Sequence, residues 1–172
     1  MFYDLEDIKE YENIIIFEDD IYIKDIKIKS IKSSHDAPDA RNYIVENQGV
    51  SVVYVTDTGY INRKYFEILK DKEFYLFESN HDIEMLLNGP YPKWLKTRVV
   101  GSYGHLSNKD AAFYLTKLIG PHTKKIILMH LSHINNTKEK ALEMMEETFK
   151  EYDIDFKNIS CANRSEITEV VS

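Results

Sequence analysis

Three residues that can bind metal lie at the carboxyl ends of predicted strands, far apart in the sequence. They are His35, Asp57 and His130, each at the end of a predicted strand or just beyond it. Ligands of α/β proteins gather at that edge of the sheet, so we expect the three side chains to lie close together. Neutral imidazole and carboxylate groups suit Zn²⁺, Mn²⁺ or Fe²⁺. The pattern therefore predicts a divalent-metal site.

Each of these residues also has an interpretation without function. His35 would be a solvent-facing residue at a strand end, and Asp57, in the sequence VTDTG, would begin a turn before Gly59. Both interpretations stay open for these two residues. His130 follows an apolar run and is predicted to be buried, so each of its ring nitrogens needs a partner. A metal on one nitrogen and a carbonyl or carboxylate on the other would supply both.

Two further histidines lie where a predicted helix begins. His105 lies two residues before Ser107, a predicted N-cap, and the backbone N–H groups of that helix start are suited to receive a phosphate. His81 lies in the sequence ESNHD, between a strand and a helix. Glu78 and Asp82 of the same sequence either orient metal ligands or only cap the following helix. A loop histidine without function is the alternative for His105.

The order of the predicted elements indicates a layered α/β domain. Alternating or buried apolar runs predict strands, and helical spacing with capping residues predicts helices. The predicted strands are 13–17, 21–34, 42–47, 50–56, 73–79, 124–130, 156–160 and 166–171, and the predicted helices are 62–71, 82–89, 107–120 and 136–152. Gln48 and Gly49 should form the turn of a hairpin. Gly89 and Gly120 are predicted to end two of the helices.

Composition restricts the class of protein. The 172 residues suit a single domain, residues 1–172, with 43% hydrophobic residues for a core. The net charge of −7 and the absence of a Lys/Arg-rich block indicate no long-range attraction to nucleic acid. The single cysteine, Cys161, excludes an internal disulfide and fits a reducing compartment. Without a signal peptide or a long apolar run, we expect a soluble cytoplasmic protein.

Four segments together resemble the metallo-β-lactamase-fold hydrolases. The segments are SHDAPDARNY, VYVTDTG, LFESNHDIEMLLNGPYPKWLKTRVVGSYGHLSNKDAA and ILMHLSHINN. They are most similar to the bacterial WalJ/YycJ-type branch, which is related more distantly to tRNA 3′-processing endonucleases and ribonuclease J. The resemblance implies that the chain forms the C-terminal two-thirds of an αββα sandwich. It also implies a metal-dependent hydrolase of phosphodiesters such as nucleic acid, using Zn²⁺, Mn²⁺ or Fe²⁺.

The resemblance assigns roles to individual residues. His35 matches the third metal-binding motif, Asp57 the aspartate that bridges two metals, and His130 the late histidine of the fifth motif. His81 and His105 match histidines near the site and are the candidate catalytic residues; metal ligation by either is not implied. His122 and His133 are expected at the surface, and no cofactor other than the metal is implied.

One family motif is missing. Family members have an H-x-H-x-D-H sequence that supplies most metal ligands, and this sequence contains no H-x-H. We therefore expect an N-terminally incomplete domain that holds at most one ion and hydrolyses its substrate inefficiently alone. The missing strands would expose apolar surface, which predicts a homo-oligomer, such as a dimer, or an N-terminal partner chain.

The same absence supports a second hypothesis, in which the chain is a non-catalytic binding or assembly module that keeps the fold. The retention of SHDAPD, TDTG and GHLSN favours the enzyme, since a binding module needs no site residues. Metal content after purification without a chelator or an affinity tag would discriminate the two.

Overall fold

A mixed sheet of seven strands organises the residues that this computed structural model describes, which are 15, 17, 19–163 and 165–168. The spatial order of the strands follows the chain, from β1 to β7. The strands are β1 (Asp20–Ile23), β2 (Ile26–Lys32), β3 (Arg41–Asn47), β4 (Val50–Val55), β5 (Phe74–Glu78), β6 (Lys125–Met129) and β7 (Ile159–Cys161). Neighbours from β1 to β4 are antiparallel, and neighbours from β4 to β7 are parallel.

The first hairpin corrects the prediction of one long strand over 21–34. The chain turns at Lys24, which has a φ of 57°, and Ile23 then pairs with Ile26 across the hairpin. Isoleucine recurs at every second position on both sides of this turn, but the spacing from Ile23 to Ile26 is three. That change of phase marks the break between the two strands.

The second hairpin is as predicted. Gln48 and Gly49 join β3 to β4, and both have positive φ, 47° and 84°. This backbone conformation matches the right-handed twist of the flanking strands. The predicted strand 13–17 lies mostly outside the described residues. Of the predicted strand 166–171, the described part, 166–168, is not a strand, and the remainder lies outside the described residues.

Five α-helices lie within the described ranges. They are α1 (Phe66–Leu69), which follows a 3-10 turn at Arg63–Tyr65, α2 (Ile83–Asn88), α3 (Lys93–Val100), α4 (Asn108–Leu118) and α5 (Lys138–Glu151). The predicted cap of α4 is confirmed, because the Ser107 side chain accepts a hydrogen bond from the backbone of Asp110. The predicted cap Gly89 is confirmed as the C-cap of α2, although its φ of −73° is not left-handed, whereas the predicted cap Gly120 is one residue late, because Ile119 is the C-cap of α4.

Helix α3 was not predicted. Its sequence begins after Gly89-Pro90-Tyr91-Pro92, and such glycine and proline spacing is typical of a loop. Pro92 is in fact the N-cap, where its fixed φ and missing N–H cost the helix nothing. Helix α3 therefore begins immediately after the residues that suggested a turn.

The core lies between one face of the sheet and the helices. Alternate residues of a strand share a face, and on this face the central strands β4 and β5 bury Val53, Val55, Tyr75 and Phe77 completely. The same core includes Ala111 and Leu115 of α4 and Ala141 and Met145 of α5. The layered α/β class is thereby confirmed. This packing holds β4, β5 and β6 in register, so their carboxyl ends meet at one edge.

Candidate metal centre

Three adjacent parallel strands each place a polar residue at this edge. Asp57 lies two residues after the end of β4, Glu78 is the last residue of β5, and His130 follows the end of β6 directly. Asp57 and His130 both have left-handed backbone conformations, with φ of 49° and 59°. Such conformations are uncommon outside glycine, although aspartate and histidine adopt them more readily than most residues. They redirect the chain where the strands stop, and the polar side chains converge there.

The converging groups form a cluster with the chemistry of a metal site. Asp57, Glu78, His105 and His130 each offer one ligand atom, and these atoms all lie within 4.8 Å of one another. Ligands bound to one Zn²⁺ at about 2.0–2.2 Å are at most about 4.4 Å apart. The longest separations in the cluster are therefore only slightly greater than those between ligands of one ion. Two imidazoles and two carboxylates form a donor set that fits a divalent transition metal.

Glu78 lies at the base of this cluster with no exposed surface. Its Oε1 atom is 2.8 Å from Nδ1 of His105 and 2.7 Å from Nδ1 of His130. Its Oε2 atom accepts hydrogen bonds from the backbone N–H groups of Thr58, at 3.0 Å, and Leu106, at 3.3 Å. Burial by itself would raise the pKa of Glu78, but the hydrogen bonds from the two histidines lower it to about 2. Glu78 is therefore a carboxylate at neutral pH.

This carboxylate determines which nitrogen of each histidine is free. An ionised carboxylate only accepts hydrogen bonds, so Nδ1 of His105 and Nδ1 of His130 both act as donors to it. In a neutral ring the other nitrogen, Nε2, then carries a lone pair that can bind a metal. The hydrogen bond to Glu78 also raises the pKa of His130.

His35 is held in a matching orientation. Its Nδ1 atom lies 2.9 Å from the carbonyl oxygen of Gly104, which can only accept, so Nδ1 carries the proton and Nε2 the lone pair. Nε2 lies 3.8 Å from Oδ1 of Asp57. The His35 side chain is only 8% exposed, so the alternative of a solvent-facing histidine does not describe it.

Three histidine rings, those of the predicted ligands His35 and His130 and that of His105, surround one oxygen atom of Asp57. Oδ1 of Asp57 lies 3.8 Å from Nε2 of His35, 3.7 Å from Nδ1 of His105 and 3.6 Å from Nδ1 of His130. The hydroxyl of Ser33 donates to the Asp57 backbone carbonyl and connects the two loops. The predicted burial of His130 is wrong: its side chain is 41% exposed, with only Nδ1 directed to Glu78.

His81 is not part of this cluster and is buried. It is 1% exposed, its Nδ1 atom has no hydrogen-bond partner among the described residues, and burial lowers its pKa to about 4. Its backbone pairs with Ser107, and its carbonyl accepts from the N–H of Asn108. The backbone of His81 therefore connects the segment after β5 to the start of α4.

An ion pair that the sequence did not predict supports the loop of His35. The guanidinium of Arg98, in α3, donates to both carboxylate oxygens of Asp36, at 2.6 and 2.8 Å. Such two-point pairing restricts orientation as well as distance. The pair therefore connects α3 to the residue beside His35. The sequence carries little signal for it, because the partners are 62 residues apart and α3 was not predicted.

A polar cavity of about 270 Å³ opens beside the cluster. Its walls include His105 and His130 on the side of the cluster and Tyr91, Leu95 and Arg98 on the side of α3. The exposed His133, predicted at the surface, also lines it, whereas His122 pairs with Asp71 elsewhere. The cavity gives a substrate direct access to the clustered groups.

Comparison with known proteins identifies relatives by sequence. No protein-family model matches the chain. It is 39% identical over 127 residues to the exodeoxyribonuclease YycJ of Bacillus anthracis, covering 74% of this chain and 48% of that protein. It is 41% identical over 137 residues to the exodeoxyribonuclease WalJ of Streptococcus pneumoniae serotype 2 (strain D39 / NCTC 7466), covering 77% and 51%. The chain thus spans about half the length of the curated relatives it matches.

Solved structures agree on the fold. The metallo-β-lactamase fold protein YhfI from Bacillus subtilis matches with a TM-score of 0.61 at 15% identity, over 86% of this chain and 51% of that one. A diphosphatase from the PhnP family matches with a TM-score of 0.52 at 16% identity, over 91% and 49%. Within the described residues, each helix is too short or too polar to cross a membrane. The chain belongs to the family of the WalJ and YycJ proteins, and its fold is that of the metallo-β-lactamase-fold proteins.

Proposed function

We propose that this chain carries part of the active site of a metal-dependent hydrolase that cleaves phosphodiester bonds in nucleic acid. The observation that carries the proposal is the cluster of Asp57, Glu78, His105 and His130 at the ends of adjacent strands. The names of the two relatives, both exodeoxyribonucleases, support a DNA substrate. A divalent ion held in the cluster would act as a Lewis acid and lower the pKa of water.

The residues have separate roles in this proposal. His35, Asp57 and His130 are the metal ligands in this proposal, because the rings of His35 and His130 both lie within 4 Å of Oδ1 of Asp57 and each has its Nε2 atom free to bind an ion. His105 contacts the substrate phosphate from the wall of the cavity. Glu78 is a positioning residue, since it holds His105 and His130 in fixed orientations without reaching the surface.

The proposed site needs more metal ligands than this chain supplies. The sequence has no H-x-H pair, so ligands for a second ion would come from elsewhere. We propose that a partner chain carrying an H-x-H-x-D-H segment supplies them, and that the isolated chain is a weak hydrolase. Association with a second copy of this chain is the alternative, and it would add no H-x-H pair.

Reconstitution tests the proposal. The purified chain is mixed with a polypeptide that carries an H-x-H-x-D-H segment, together with Mn²⁺ or Zn²⁺ and a labelled oligodeoxynucleotide. We expect cleavage by the mixture that exceeds the cleavage by either part. The same mixture with Asp57→Asn should be inactive, because the oxygen between the histidines would then belong to a neutral amide.

The control is a carboxylate outside the cluster. Asp71→Asn removes the partner of His122 and should leave cleavage unchanged. Gel filtration shows whether the two parts associate. If they associate and bind metal but do not cleave the oligodeoxynucleotide, the chain is instead the non-catalytic binding or assembly module.

A further inference from the structure

The segment 85–109 has a charge opposite to that of the whole chain. It contains four basic residues, Lys93, Lys96, Arg98 and Lys109, and no acidic residue, whereas the chain carries a net charge of −7. The segment includes α3 and the loop that leads to His105. Arg98 is paired with Asp36, so the three lysines are the charges of this segment that remain to attract a polyanion to an otherwise acidic protein.

The same segment exposes two large aromatic side chains. Trp94 is 68% exposed and Tyr103 is 64% exposed, so neither contributes much to the core. Tryptophan and tyrosine lose favourable burial when they are left in water, and exposed aromatic surface of this kind often marks a binding site. Both rings are therefore open to a ligand.

The position of α3 relates these side chains to the metal centre. Trp94 lies one helical turn before Arg98, on the same side of α3. Arg98 holds Asp36, and the backbone N–H of Asp36 donates to the carbonyl of Tyr103, at 3.1 Å. Arg98 also lines the cavity whose other wall includes His105. The exposed aromatic residues therefore belong to α3 and the loop after it, the two segments that border the cavity beside the cluster.

We propose that this surface, the α3 platform, binds single-stranded nucleic acid and leads it to the metal centre. The α3 platform consists of Lys93, Trp94 and Tyr103. Successive unpaired bases stack on Trp94 and Tyr103, and Lys93 contacts a phosphate between them. A duplex would not suit the aromatic side chains, because its base faces are already stacked. The inference rests on the proposed function, since it assumes a nucleic-acid substrate.

The intrinsic fluorescence of the protein reports on the platform directly, because Trp94 is its only tryptophan. The full chain is titrated with unlabelled oligothymidylate in the presence of EDTA, so that hydrolysis does not occur. We expect the oligonucleotide to quench Trp94 emission in a saturable way. Unchanged emission at saturating oligonucleotide, with binding shown by anisotropy, would overturn the proposal.

Substitutions measure the contribution of stacking. With a fluorescein-labelled oligothymidylate, Trp94→Ala and Tyr103→Ala should each weaken binding roughly 5- to 150-fold, which corresponds to the usual range for one stacked base. The matched control is Tyr22→Ala, which removes a tyrosine that is 67% exposed on β1, in the first hairpin. Tyr22→Ala should bind as the unmodified chain does. Equal weakening by Tyr22→Ala would overturn the proposal.

The salt dependence of binding tests whether Lys93 contacts a phosphate. Lys93→Gln should lower the slope of log affinity against log salt by about 0.7, as expected for one lost phosphate contact on a single strand. Lys140→Gln, at an exposed lysine of α5, should leave the slope unchanged. A slope that is the same in both variants would show that the basic residues of α3 do not contact the strand.

The outcomes separate this inference from the proposed function. Binding in EDTA that also persists in Asp57→Asn, without any cleavage after reconstitution, supports the platform and counts against the hydrolase. Cleavage after reconstitution, with unchanged affinity in Trp94→Ala, supports the hydrolase and overturns the platform. If light scattering shows a dimer that Trp94→Ala converts to a monomer, the surface is an interface between copies, which also overturns it.

Discussion

Substitution of Glu78 by glutamine tests whether one buried carboxylate controls the metal centre. The amide oxygen can still accept from the N–H groups of Thr58 and Leu106, which cannot move. The amide nitrogen would then face Nδ1 of His105 and Nδ1 of His130 as a donor. Both rings would have to change tautomer and place their proton on Nε2, the nitrogen that the present arrangement leaves free.

The expected effect is larger on metal binding than on stability. Loss of a partner that orients metal ligands typically costs about 10–100-fold in metal affinity. The hydrogen-bond network is largely retained, so the free energy of unfolding should fall by only about 1–3 kcal/mol. For a chain of this size that corresponds to a Tm lower by roughly 2–12 °C. Calorimetric titration with Zn²⁺ measures the metal affinity, and unfolding in urea measures the free energy of unfolding.

A second buried carboxylate provides the control. Glu73, just before β5 at the opposite edge of the sheet, accepts from the backbone N–H of Ser51 and pairs with Lys124. Glu73→Gln should lower stability to a similar degree and leave metal affinity unchanged. If Glu78→Gln binds Zn²⁺ as tightly as the unmodified chain, the reasoning about the tautomers is refuted.

Three other changes have outcomes that the structure determines. Gly104→Ala should abolish metal binding or folding, because a Cβ atom there would lie 2.2 Å from a backbone carbonyl oxygen of α3. Gly101→Ala is the control: its Cβ atom would have its nearest contact at 3.3 Å, so this variant should fold and bind metal in the same assays. Cys161 should react with iodoacetamide over hours at pH 8, since burial raises its pKa to about 11, and reaction within minutes would contradict this. Asn136→Ala should lower the free energy of unfolding by about 1–3 kcal/mol, because the side chain of Asn136 donates to the buried carbonyl of Ser79; an unchanged urea midpoint would contradict this.

The sequence determined which residues lie at the carboxyl edge of the sheet. Apolar runs ending in polar residues are local features, so the position of Asp57 after β4 and of His130 after β6 followed from them. The hairpin at Gln48 and Gly49 followed from turn chemistry that involves only neighbouring residues. Likewise, the N-cap at Ser107 is a contact within one helical turn.

Only the tertiary structure decided how those residues act together. The bonds from Glu78 to His105 and His130 join residues 27 and 52 positions apart, and no local pattern encodes which carboxylate lies beneath which ring. The pairing of Arg98 with Asp36 depends on where α3 packs, which the preceding prolines concealed. Packing of distant elements, rather than propensity, sets side-chain direction and burial, and these determine which nitrogen of each histidine is available to a metal.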